Sequence, residues 1–175
     1  IAGAFWLKER RGDRALANFE RARREYGSGD LSCVYLTGFA EANFLLRNLS
    51  QAKQSFESVL QKCTNLRLRV GAEMRLGDMD FLQNRSGKPR YEKILGGNLA
   101  SQTLFHPTIF YHLGELNFRD QNYAQSQTLF SNYLKHPARE PECTMMVNKR
   151  IADISLALDR PVDEVKGLYL AVFEH

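Results

Sequence analysis

Leu36-Thr37-Gly38-Phe39-Ala40-Glu41-Ala42-Asn43-Phe44, then Asn48-Leu49-Ser50, then Ala52-Lys53-Gln54-Ser55-Phe56-Glu57-Ser58-Val59-Leu60, decides the fold. Apolar or small residues recur at i, i+3 or i+4 in both halves, the spacing of an amphipathic helix. The polar residues from Arg47 to Ser50 read as a short turn, so the unit is a helical hairpin. Ala40 and Ala52 let its two helices approach closely, and Phe56 fills the space between hairpins. Phe44, Phe81 and Phe118 stand 37 residues apart. Glu41, Asp78 and Glu115 precede them by three positions, and Ala40, Gly77 and Gly114 by four. Three columns in one register mark an internal repeat.

Working outward, residues 1–29 read as a partial first repeat, with a turn at Gly12-Asp13 and an end at Gly27-Ser28-Gly29-Asp30. Ala15 and Phe19 precede Ala52 and Phe56 by 37 residues. Repeat two spans 30–67 and repeat three 68–105. In repeat three Pro89 suits a helix start, and Gly96-Gly97 weakens the second helix because each interior glycine costs about 1 kcal/mol. Repeat four spans 106–140 and opens at Pro107. Repeat five spans 141–175, where Asp153 and Leu156 continue the first-helix pattern with one extra residue. The chain opens at Ile1 inside an apparent helix and reads as a fragment of a longer chain or a processed product.

The second repeat carries Leu36, Phe39-Ala40, Ala52, Phe56 and Val59. The fourth carries Phe110, Leu113-Gly114, Tyr123, Ser126, Phe130 and Tyr133. This pattern resembles the tetratricopeptide repeat family, whose period lies nearer to about 34 residues. Ser126 departs from the family's alanine, and Tyr133 from a small residue. The resemblance implies an all-α fold, a right-handed superhelix of about four and a half antiparallel helical hairpins of about 37 residues, in a single repeat domain. It also implies that the first helix of each hairpin lines a concave groove. Carried over position by position, the groove presents Thr37, Glu41 and Phe44, then Met74, Asp78 and Phe81, then Tyr111, Glu115 and Phe118. Val34, Leu45, Gly71, Leu82, Thr108 and Arg119 are the other positions facing the groove, and Asp153 and Leu156 would extend both columns. Carboxylates beside phenylalanines suit a partner segment with basic and apolar side chains. The alternative is that each Phe packs between neighbouring helices and the acids are solvated helix surface. Acids at these positions argue against the basic clamp by which some family members hold acidic tails.

The composition, 43% hydrophobic and 25% charged, is that of a globular chain, and a net charge of +4 is too mild to signal nucleic acid by itself. No apolar run approaches the ~20 residues that span a bilayer. Cys33, Cys63 and Cys143 lack metal-binding spacing and read as free, partly buried thiols. Cys33 and Cys63 would lie at the same end of repeat two, so an oxidising compartment would permit a disulfide. No catalytic set assembles. His112 and Glu115 share a helix face and read as a surface pair. Asn48-Leu49-Ser50 and Asn84-Arg85-Ser86 match the glycosylation sequon but carry little weight alone. Basic residues gather from Lys8 to Arg24 and again at Arg85, Lys88, Arg90 and Lys93, read as solvated faces with ion pairs.

These readings predict a non-catalytic protein–protein interaction scaffold with no cofactor, metal or small-molecule substrate. Its partner is a protein or peptide, and self-association through the end repeats is a further option. The alternatives are a regulatory module of a larger enzyme or transcription regulator, and a binder of an anionic surface or nucleic acid through the basic patches. The segment Phe130-Ser131-Asn132-Tyr133-Leu134-Lys135-His136-Pro137 is similar to repeat endings in bacterial envelope assembly proteins. That suggests a bacterial periplasmic factor, with a soluble cytoplasmic adaptor as the rival.

Overall fold

The computed structural model describes residues 2–26, 31–83, 86–96 and 106–173. Its secondary structure is ten α-helices, with no strand among the described residues. They are α1 (Ala2–Lys8), α2 (Gly12–Tyr26), α3 (Ser32–Leu45), α4 (Leu49–Lys62), α5 (Leu66–Leu82), α6 (Lys88–Gly96), α7 (Thr108–Arg119), α8 (Tyr123–Lys135), α9 (Pro141–Ala157) and α10 (Val162–Phe173). Four consecutive pairs, α1 with α2, α3 with α4, α7 with α8 and α9 with α10, pack as the hairpins that the repeat predicts. The chain falls into two compact units, Ile1–Arg90 and Tyr91–His175, with the boundary inside α6. The Gly27–Asp30 helix end, the Asn84-Arg85 part of the second sequon and Gly97 lie outside the described residues.

The hairpin turns repeat one local geometry. Arg10, Arg47, Gln121 and Asp159 have φ of 54°, 62°, 58° and 52°, and each follows a first helix. One residue later, backbone N–H groups close back onto the helix: Arg11 onto Trp6, Asn48 onto Asn43, Asn122 onto Asn117 and Arg160 onto Ser155, at 2.8–3.1 Å. A left-handed residue followed by such a six-to-one bond is the Schellman ending of a helix. Side chains reinforce it. Asn43 Nδ2 donates to the Phe39 carbonyl and Asn48 Nδ2 donates to Asn43 Oδ1, while Asn117 and Asn122 repeat the arrangement in the second unit. Asn48 is therefore explained as a turn residue, whatever its sequon.

In the first unit, α2 packs against α3, and α5 packs against α3 and α4. Ala40, Ala52, Phe56, Val59, Cys63, Ala72, Leu76 and Met79 form the buried centre between the second and third hairpins. Phe19 takes the corresponding place one repeat earlier. A Cβ on Gly3 would meet its ring at 2.8 Å and one on Gly38 at 2.3 Å, so those glycines give the ring its room. The thiol expectation is corrected here: Cys33 and Cys63 form a disulfide, with Cα atoms 5.8 Å apart. Cys33 sits in the first turn of α3 and Cys63 caps α4, so the antiparallel hairpin brings them together. Cys143 is a free, partly buried thiol.

In the second unit, α7 and α8 form one hairpin, α9 and α10 the next, and α9 also packs on α7 and α8. Phe130, Tyr133, Val147 and Ile154 are its buried centre. Both departures from the family pattern are accommodated by hydrogen bonds. Buried Ser126 donates to the Gly114 carbonyl at 2.9 Å. The Tyr133 hydroxyl accepts from Glu140 N–H at 2.9 Å and donates to the Glu140 carbonyl at 3.1 Å. Its bulk thus pins the connection from α8 to α9, which a small residue could not reach.

Candidate functional site: the first-helix faces

The acid column meets arginines that the sequence reading did not single out. In the first unit α3 lies beside α5. Arg75 of α5 donates from Nε to both Glu41 oxygens, at 2.9 and 3.1 Å, and from Nη1 to Asp78 Oδ2 at 3.1 Å. Its guanidinium lies 5.1 Å from the centre of the Phe44 ring. In the second unit α7 lies beside α9. Arg150 donates from Nε and Nη2 to the two Glu115 oxygens, at 2.7 and 3.1 Å, and from Nη1 to Asp153 Oδ2 at 3.1 Å. Its guanidinium lies 4.7 Å from the centre of the Phe118 ring. Both clamps take an acid and a phenylalanine from one hairpin, and an arginine with an acid three residues on from the next. Sequence separations of 34 and 35 residues join them.

Burial explains why the pairing matters. Asp78 is 5% exposed and Glu115 3%. A buried carboxylate needs a partner, because desolvation otherwise costs several kcal/mol, on the order of the whole stability margin. Both arginines hold their protons above the usual arginine range. Burial of Arg75 works against this, but Glu41 and Asp78 outweigh it. For Arg150 the hydrogen bond to Glu115 leads. Burial also pushes the Tyr111 hydroxyl up, helped by the Glu115 charge. Asp153 accepts from Tyr169 Oη at 2.6 Å and Lys149 Nζ at 3.1 Å. Burial raises its carboxyl, yet the hydrogen bonds from Tyr169, Lys149 and Arg150 together hold it below the usual range.

The remaining groove positions divide between surface and interior. Met74 is buried with Asp78 and Glu115, while Thr37, Phe44, Phe81, Tyr111 and Phe118 are half-exposed. Thr37 Oγ1 donates to the Cys33 carbonyl at 2.7 Å. The Glu41 side chain keeps 23% of its exposure beside Phe44. Val34, Leu82, Met146 and Leu156 project into solvent. The expected surface pair of His112 and Glu115 is corrected: Glu115 is buried on Arg150, and His112 Nδ1 is hydrogen-bonded to the Tyr91 hydroxyl at 3.1 Å. Of the second basic patch, Arg90 is tied to Asp80 and Glu73 at 3.1 Å each. Among the described residues no cluster of His, Cys, Asp and Glu could hold a metal ion, and no helix is long and apolar enough to cross a membrane.

Within each unit, antiparallel helical hairpins pack side by side with an arginine clamp between neighbouring first helices, an all-α, tetratricopeptide-like fold. A solved structure of MamA, the RS-1 ArsTM double mutant, shares this fold at a TM-score of 0.67 and 16% identity, over 98% of this chain and 89% of that one. No protein-family model matches the chain, and no curated protein does. The sequence signal for the clamps was present: Arg75 precedes Asp78 by three residues and Arg150 precedes Asp153 by three. Gly38 and His112 occupy the same column in the other repeats, which breaks the pattern and hides it from a reading based on periodicity.

Proposed function

We propose that this chain is a non-catalytic protein-interaction scaffold whose first-helix faces receive a partner segment carrying apolar and basic side chains. The observation that carries this reading is the exposure of Val34 and Leu82 in the first unit, and of Met146 and Leu156 in the second, on the positions that border the clamps. Apolar side chains left in solvent next to ordered charge are what a partner can cover with a gain in free energy. Thr37, Phe44, Tyr111 and Phe118 supply half-exposed contact area. Glu41 is the carboxylate a basic partner residue would reach. Asp78 and Glu115 act from beneath, by holding the clamp geometry, while buried Met74 and half-exposed Phe81 belong to α5.

The Cys33–Cys63 disulfide supports an oxidising compartment, since such bonds are rare where glutathione keeps thiols reduced. Together with the envelope-like ending from Phe130 to Pro137, this favours an accessory factor of a bacterial envelope. The test is cross-linked capture from an envelope extract with the wild type and two surface variants, Val34→Ser/Leu82→Ser and Met146→Ser/Leu156→Ser. Loss of the same partner from either variant supports the reading. Retention of every partner by both variants refutes it.

A further inference from the structure

The two clamps share a plan: a guanidinium backed by a phenylalanine ring and completed by two carboxylates from the chain itself. Arg23 of α2 has the same backing, with its guanidinium 5.7 Å from the centre of the Phe39 ring of α3. No carboxylate completes it, or its neighbour Arg24, among the described residues. Of the acids on the same hairpin, Asp13 is engaged with Arg11 and Glu25 with Arg21, while Glu20 lies in the same wall as the two arginines without an ion pair to either. Arg23 and Arg24 line a cleft of about 640 Å³ together with Glu20, Phe39, Asn43, Asn48 and Gln51. The cleft is distinct from the first-helix face. Phe39 and Asn43 share one side of α3, and Glu41, two residues from each, points roughly 200° away.

We propose that this cleft binds a carboxylate of an acidic peptide segment from a partner protein. The Phe39 ring lies within cation–π range of the Arg23 guanidinium and favours its place in the cleft, where its N–H fork can match a carboxylate. Arg24 supplies a second donor set from the adjacent position. The Gln51 amide and the second N–H of Asn48 face the peptide backbone, while Asn43 is engaged within the turn. Glu20 in the same wall selects the ligand class. It can accept a peptide N–H beside a single carboxylate, but it repels a phosphate dianion or a nucleic-acid strand more strongly, because they bring more negative charge. The site is independent of the first-helix face, so its failure leaves that reading untouched.

The experiment is fluorescence anisotropy with a labelled, C-terminally amidated peptide that carries one glutamate among glycines, at low and at physiological salt. Arg23→Gln/Arg24→Gln should weaken binding about tenfold or more, the scale of lost charge-assisted hydrogen bonds. The control Lys8→Gln/Arg10→Gln removes the same charge from the same hairpin and should change affinity less than about twofold. Glu20→Gln should tighten binding about twofold, a gain that a misfolded variant does not give. Circular dichroism checks that each variant is folded. Three results overturn the proposal: no binding by the wild type, equal weakening by both double variants, or displacement of the peptide by inorganic phosphate or oligothymidylate more readily than by unlabelled peptide.

Discussion

Replacing Arg150 by Met keeps most of the side-chain volume and removes the charge between Glu115 and Asp153. Glu115, 3% exposed, then loses its partner in a dry site, while Asp153 retains Lys149 and Tyr169. Breaking a fully buried pair costs about 3–5 kcal/mol. The Arg150 side chain is 26% exposed, so water screens part of this, and a cost of about 2–3 kcal/mol is expected. The lost cation–π contact with Phe118 adds about 0.5 kcal/mol. Urea denaturation followed by circular dichroism gives the total, and hydrogen exchange locates it at α7 and α9. The decisive comparison is the double variant. Glu115→Gln in the Arg150→Met background removes the stranded charge and should recover about 1–2 kcal/mol, although the same change in the wild type destabilises. If Arg150→Met costs less than about 1 kcal/mol, or if Glu115→Gln fails to rescue it, the clamp is not a desolvated pair and the reasoning is wrong.

Three further outcomes follow from the geometry. Reducing the Cys33–Cys63 bond, or replacing both residues by Ser, frees a loop of 30 residues' separation and should destabilise the first unit by about 3.6 kcal/mol on the chain-entropy account, read from urea midpoints with and without reductant. Gln121→Gly relieves a left-handed backbone at φ 58° and should stabilise the second unit by up to about 1 kcal/mol, an uncommon sign for a surface substitution. Asp153 is held below its usual carboxyl range in the folded chain, so the unfolded chain binds more protons between the two values and stability rises with pH there. Its contribution is present above about pH 4 and is lost as the pH falls through the folded value, so the difference in melting temperature between wild type and Asp153→Asn should shrink as the solution is acidified from about pH 5.

The helices and their pairing into hairpins were legible in the sequence because they rest on local physics. A helix shows its apolar face every three or four residues, and a repeated turn places a polar break at the same distance each time. Gly38, Ala40, Ala52 and Gly114 mark where helices approach closely, and Phe19, Phe56 and Phe130 mark what fills the space. The acid and phenylalanine columns were equally visible. Their surroundings were not. Whether Glu41 faces solvent or an arginine depends on Arg75, 34 residues away, and so on how α3 lies beside α5. Glu115 depends in the same way on Arg150. The helix ends of Cys33 and Cys63 could be placed from the periodicity, but pairing needs their Cα atoms at 5.8 Å, which the crossing of α3 and α4 determines. Ser126 and Tyr133 looked like departures from a pattern until their hydroxyls were seen to meet Gly114 and Glu140. Spacing along one helix fixes which residues share a face, whereas desolvation and charge pairing depend on which face of another helix arrives opposite, and only the tertiary structure decides that.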